Sequence, residues 1–192
     1  MIKDILAQSA AVKQQLAEQC ADTAEQAAQK LASCLQAGGK LMLCGNGGSA
    51  ADAQHLAAEF VATLDHRYPR AGLPALALTT DTSFLTAYSN DFGFEGVFAR
   101  QVETLGRSGD MLFAISTSGN SKNIIAAAMT AQKQGIFVVG LTGWDGGKCA
   151  AYCDILINVP SNITMHIQEC HIALGHAITA RVEQLIAQAQ QK

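Results

Sequence analysis

Aromatic residues make up only 6% of this chain and charged residues only 15%. With 49% hydrophobic residues, that scarcity of charge excludes a disordered chain and a coiled coil. Few aromatics beside abundant alanine favour close-packed helices with small contact residues. There is no basic cluster, and the net charge is −3, so nucleic-acid binding by phosphate neutralisation has no support. No apolar run approaches the roughly 18–20 residues that a membrane span needs. The opening MIKDILAQSA carries Lys3 and Asp4 and lacks the apolar stretch of a signal peptide, so a cytoplasmic protein with no membrane partner is expected. Cys20, Cys34, Cys44, Cys149, Cys153 and Cys170 form no CxxC pair, so neither a disulfide framework nor a zinc knuckle is expected. Cys149 and Cys153 have no second pair at zinc-site spacing, and buried or idle thiols are the expected reading.

What is present, in 192 residues, suits one domain with a full core and some extra helix. Residues 2–37 read as helix, with Ile5, Leu6, Val12, Leu16, Leu31 and Leu35 as core candidates. A break is expected near Cys20 to Thr23, where Asp22 or Thr23 would cap a second helix, before Gly38 and Gly39 end it. Five strand-length apolar runs follow, at 40–44, 74–79, 111–116, 136–142 and 154–160. Helical stretches separate them near 49–63, 82–104 and 121–134, with a short one near 147–151 and a final helix over 165–188. Apolar strands alternating with helices predict an α/β fold, a five-stranded parallel sheet sandwiched by helices. The division expected is 1–37, helices packing on the core or on a neighbouring subunit, and 38–192, the α/β unit.

In such sheets ligands bind beyond the carboxyl ends of the strands, where loops enter helices. The first strand runs into CGNGGSAAD (44–52), whose glycines let main-chain N–H groups face an anion at a helix start. It is not a Walker A loop, since no Lys follows in place, and by itself a plain strand-to-helix turn explains it equally well. The third strand runs into ISTSGNSKN (115–123), where Ser116, Thr117, Ser118 and Ser121 surround Gly119. Four hydroxyls in six residues exceed what a helix cap needs and favour a phosphate dianion. LTGWDGGK (141–148) offers fewer ligands and reads as a structural turn.

Candidate acid–base groups lie on two helices. AQHLAAEF (53–60) places His55 and Glu59 four apart, on one helix face. A solvated Glu beside a packed His is the ordinary explanation of such spacing. The last helix carries His166, Gln168, Glu169, His171 and His176. Asn90 and Asp91, ahead of Phe92 and Gly93, are good turn chemistry as well as candidate ligands.

Taken in order, CGNGGS, NDFGF (90–94), ISTSGNS, LTGWDGG and HIQECH (166–171) resemble the SIS-domain family, and within it the bacterial phosphoheptose isomerases. The resemblance spans about residues 38–180. It implies a flavodoxin-like, Rossmann-like sheet and an aldose–ketose isomerase that interconverts sedoheptulose 7-phosphate and D-glycero-D-manno-heptose 7-phosphate, a heptose precursor, through an enediol. It further implies phosphosugar binding by Asn46, Gly47, Gly48, Ser49, Glu59, Asn90, Asp91, Ser116, Thr117, Ser118, Ser121 and Gln168. Glu59 and His176 would be the catalytic pair, and His55, Glu59, Gln168 and His176 a divalent-metal site, usually zinc, with no nucleotide cofactor. On an ideal helix Gln168 and His176 stand about 12 Å apart in rise, so sharing a metal requires inward reach or a second subunit. A homotetramer with active sites near subunit interfaces is implied too. His166 and His171 are assigned packing or hydrogen-bonding roles. One departure concerns the Arg that family members carry soon after the Glu. Thr63 stands there, and Arg67 or Arg70 in VATLDHRYPRAG (61–72) would have to reach back in its place. Two other readings share the fold: a non-catalytic phosphosugar-binding adaptor of the initiator-associating type, and an isomerase for another sugar phosphate.

Overall fold

Five apolar runs do become strands, β1 (Leu41–Cys44), β2 (Ala75–Ala77), β3 (Met111–Ser116), β4 (Phe137–Gly143) and β5 (Ile155–Val159). All pair in parallel, in the order β2-β1-β3-β4-β5. The computed structural model describes residues 1–190, so the last two residues of the 38–192 unit lie outside the described residues. Among the described residues the strands are accompanied by six α-helices, α1 (Ile2–Gln36), α2 (Gly48–Val61), α3 (Thr82–Phe92), α4 (Val97–Leu105), α5 (Lys122–Lys133) and α6 (Thr164–Gln190), and the stretch expected near 147–151 is a 3-10 turn over Gly147–Tyr152.

Alternation along the strands builds a core on each side of the sheet. Leu41, Leu43, Met111, Phe113 and Leu141 are buried with the inward residues of α1, α2 and α6. Met42, Leu112, Ala114 and Val138 are buried with those of α4 and α5. Each fully buried large side chain contributes about 1.5–3 kcal/mol by leaving water. Among the described residues no helix is long and apolar enough to cross a membrane.

Two expected boundaries differ. No break occurs near Cys20 to Thr23: α1 is continuous, because Cys20, Ala24, Ala27, Ala28 and Leu31 carry one buried stripe through that point and no Gly or Pro interrupts it. The stretch 82–104, expected as one helix, is divided by Gly93 at φ +86° and a tight turn over Phe94–Gly96 before α4 begins. At Gly96 a Cβ would stand 2.6 Å from the Tyr88 hydroxyl oxygen, so Tyr88 of α3 packs directly onto this turn.

The strand order places β1 beside β3, with β2 on the outer side of β1. At such a reversal, the loops leaving two adjacent strands open a crevice at the carboxyl edge. Here those are the two glycine- and serine-rich loops.

Candidate functional site

The loop after β1 enters α2 through Gly47, at φ +55°, and no side chain caps the first turn. Gly48 leaves room for the Gln168 amide of α6, which lies directly on it: a Cβ there would stand 1.6 Å from Nε2, at the movable end of that side chain. Ser49 is buried, Asn46 is half-buried, and Gly47 and Gly48 are exposed.

The loop after β3 holds Ser116 and Ser121 in mutual contact, with Ser116 Oγ donating to Ser121 Oγ at 3.2 Å. Ser118 Oγ accepts from the Asn120 N–H at 3.1 Å. The two loops are joined by a reciprocal amide pair: Asn46 Nδ2 donates to Asn123 Oδ1 at 2.9 Å, and Asn123 Nδ2 to Asn46 Oδ1 at 2.8 Å. Behind them, the segment that follows β4 braces the loop. The Cys149 N–H donates to Gly119 O at 2.9 Å, and the Lys148 N–H to Asn120 Oδ1 at 3.1 Å. Gly119, at φ +62°, sits so close to Gly146 that a Cβ would stand 2.0 Å from its carbonyl oxygen. Paired donors at two adjacent loop tips form a polar cradle whose shape is held by its neighbours.

Helices α2 and α6 run in the same direction side by side. Gly48 meets Gln168, Leu56 lies against Gly175, and His55 meets His176. The two imidazole Nε2 atoms are 2.8 Å apart, close enough for one ring to donate to the other. Glu59 Oε1 lies 3.5 Å from the same His55 nitrogen, with the Glu59 side chain 22% exposed. Three groups that can accept or hold protons therefore converge from α2 and α6. Asp52, one turn earlier, leaves its Oδ2 buried without a partner, and burial raises its pKa above the usual carboxylate range.

Of the residues singled out in sequence, the structure brings His55, Glu59 and His176 together, and separately joins the Asn46–Ser49 loop to the Ser116–Ser121 loop. Gln168 stays at the start of α2, about 12 Å of helix rise from His176. Asn90 and Asp91 are exposed on the last turn of α3 rather than in a free turn, and Asn90 Nδ2 donates to Asp91 Oδ1 at 2.9 Å. Neither Arg67 nor Arg70 bonds to a side chain of the site, although Arg70 reaches the backbone carbonyl of Glu59. Arg67 is exposed and bound to Asp65 in its own loop. Arg70 is turned inward onto Glu183 at 2.7 Å, both side chains being almost fully buried (3% and 0% exposed). Sequence reasoning missed Glu183. Its only signal was a charged residue placed among the buried positions of α6.

His171 is buried, bonded through Nε2 to Thr142 O at 3.1 Å, and burial lowers its pKa to about 4. It fixes α6 to β4. His166 is also buried, with neither ring nitrogen hydrogen-bonded.

For a metal, the donor types at the His55 cluster fit zinc: two imidazole nitrogens and a carboxylate. Their spacing is that of a hydrogen bond, tighter than the about 3.3 Å separating two nitrogens on one tetrahedral zinc. Among the described residues no group of three or more His, Cys, Asp or Glu is set to hold a metal as it stands. The fit lies in donor chemistry and proximity.

Comparison with known proteins identifies the family of the fold. The family model for the SIS domain matches residues 5–143. A phosphoheptose isomerase of Rhodospirillum rubrum is 55% identical over 166 residues, covering 85% of this chain and 86% of the relative. Among solved structures, a phosphoheptose isomerase from Neisseria gonorrhoeae is 47% identical with a TM-score of 0.90, covering 95% of this chain and 97% of that one. Another, from Francisella tularensis, is 36% identical with a TM-score of 0.91, covering 95% and 96%.

Proposed function

The chain belongs to the SIS-domain family, in its phosphoheptose isomerase branch, and on that premise we propose how its residues interconvert sedoheptulose 7-phosphate and D-glycero-D-manno-heptose 7-phosphate. The enzyme is an aldose–ketose isomerase. The observation that carries the residue assignment is the convergence of Glu59 and His176 on one nitrogen of His55, from positions more than a hundred residues apart.

The substrate phosphate rests against the hydroxyls of Ser116, Thr117, Ser118 and Ser121 and the main-chain N–H groups of the Asn46–Ser49 loop. Hydroxyls and helix-start N–H groups stabilise a dianion without a cation in contact. Asn90 and Asp91 take sugar hydroxyls. Glu59 removes the proton from C1 of the ketose, giving an enediol, and the proton returns at C2. His176 moves the proton between the two substrate oxygens. General acid–base transfer of this kind is worth about 10²–10⁴ in rate. Gln168 hydrogen-bonds substrate oxygens from its seat above Gly48. A divalent ion, zinc by donor type, would be held by His55, Glu59 and His176, with Gln168 serving either the ion or the substrate oxygens. When bound, such an ion polarises a substrate carbonyl or hydroxyl oxygen.

The chain works as a cytoplasmic homotetramer in this reading. An apolar groove of about 320 Å³ between α1 and α6, lined by Leu16, Ala17, Ala21, Ala24, Ala173 and Ala177, supports it. So do the exposed Phe92 and Phe94 beside Asn90 and Asp91.

A panel of five-, six- and seven-carbon ketose phosphates, run with and without chelator on wild type and Glu59→Gln, tests the whole reading. Expected are preference for the seven-carbon ketose, loss of turnover on chelation, and loss of turnover in Glu59→Gln with phosphosugar binding retained. Unchanged turnover in Glu59→Gln removes the base assignment. Phosphosugar binding without any interconversion returns the chain to the adaptor reading.

A further inference from the structure

We infer that the buried Arg70–Glu183 pair is a positioning device for the catalytic carboxylate, holding the end of α2 from which Glu59 projects. The inference rests on the reading of Glu59 as base.

A helix leaves its last four carbonyls without intrahelical partners. In α2 these belong to Ala58, Glu59, Phe60 and Val61. The Ala62 N–H takes Ala58 O at 2.8 Å, and the Leu73 N–H takes Phe60 O at 3.0 Å. Arg70 takes Glu59 O through Nη2 at 2.9 Å, shares Phe60 O through Nη1 at 2.8 Å, and just beyond the helix reaches Ala62 O at 3.3 Å. The same guanidinium donates to Glu183 Oε1 through Nε at 3.0 Å and through Nη2 at 2.7 Å. Glu183 in turn accepts from Thr63 Oγ1 at 3.1 Å and from the N–H groups of Leu64 and Asp65, each at 3.0 Å.

A helix end needs only a glycine or a surface cation to close it. Here instead a desolvated ion pair is anchored in α6, the helix that also carries His176. Its guanidinium touches the carbonyl of Glu59 itself. The clamp thus ties the base of one helix to the imidazole of the other through a rigid, planar group. Gly72 belongs to it: a Cβ there would stand 2.7 Å from Val61 O, so the chain passes hard against the α2 end. A catalytic group misplaced by about 1 Å can cost 10²-fold in rate. Fixing the Glu59 backbone from both α6 and the following loop prevents such a displacement. Thr63 also finds its role here, as a donor to Glu183 rather than a substrate contact.

The test is Arg70→Lys, which keeps the charge and loses the fork that reaches Glu59 O and Glu183 together. Rates are taken per folded enzyme, with folding checked by near-ultraviolet circular dichroism and melting, on sedoheptulose 7-phosphate and its C1-deuterated form. The expected result is a fall in kcat of about 10- to 100-fold, KM within about threefold, and a larger deuterium isotope effect, because proton abstraction alone has been slowed. Thr63→Val, which deletes one hydrogen bond to Glu183, is expected to lower kcat about two- to fivefold with the same isotope signature. It decides the matter if Arg70→Lys does not fold. An unchanged kcat per folded molecule, or a loss carried by KM, overturns the clamp. Turnover retained in Glu59→Gln overturns the base reading instead, so the two failures are told apart.

Discussion

The two ends of α2 are built on opposite plans. Its start is glycines, a buried serine and uncapped N–H groups, crossed only by the far end of the Gln168 side chain. Its finish is a fully desolvated ion pair bonded to the carbonyls of Glu59, Phe60 and Ala62. At one end Ser49, Ala50 and Ala51 bond only to carbonyls of their own turn, and at the other a side chain from outside the helix takes the carbonyls of Glu59 and Phe60. The lesson is that a helix can serve as bearing and jaw at once, provided its rigidity is concentrated at the end that carries the base.

That contrast can be broken or sharpened by mutation. Glu183→Ala leaves Arg70 buried without a counter-charge and should destabilise the fold by about 3–5 kcal/mol in urea unfolding. A loss under about 1 kcal/mol would put the two ends on equal terms. Whether the rest of α6 shares this dependence on burial is read by pH. The pKa of His171 is lowered from 6.5 to about 4 in the fold, so between those values the unfolded chain binds the extra proton. Stability is therefore full above about pH 6.5 and falls as pH drops toward 4, by at most about 3 kcal/mol. His171→Gln should flatten that part of a stability–pH curve. At the open end effects shrink. Asn123→Ala strands the Asn46 amide and should cost about 1–2 kcal/mol, with weaker phosphosugar binding by calorimetry. Gly48→Ala only pushes the flexible Gln168 amide aside. It should leave stability within about 1 kcal/mol while raising KM about three- to tenfold, a change of about 1 kcal/mol in binding.

Much of this was legible in the sequence because it is local. Each apolar run is a strand within one or two residues, since strands buried on both faces have no other composition. The i, i+4 spacing by itself puts His55 and Glu59 on one helix face. Continuity of α1 was misread because Asp22 and Thr23 look like caps, and only the stripe of small buried residues overrides them. The break at Gly93 has a signal in the turn chemistry of Asn90 to Gly93, but a glycine inside an otherwise helical stretch fixes no boundary without its φ. Longer-range pairs were invisible for a different reason. Asn46 and Asn123 are 77 positions apart, and Arg70 and Glu183 are 113 apart. Nothing in the local pattern distinguishes a loop arginine that reaches water from one that turns inward. The tetramer, the metal and the cytoplasmic setting rest on the reading proposed above.

The side-by-side, same-direction packing of α2 and α6 has a further consequence. Their meeting points keep a nearly constant offset, 121 positions at the histidine pair and 118 to 120 at the Glu183 contacts. The two helices are thus meshed like racks cut to one pitch. A single residue inserted in α6 between 168 and 176 would turn everything beyond it by about 100°, disengaging the histidine and the clamp from α2 while leaving the sheet intact. Length changes in this protein belong in its loops, and a homologue with a gap inside either helix should be expected to have lost the reaction while keeping the shape.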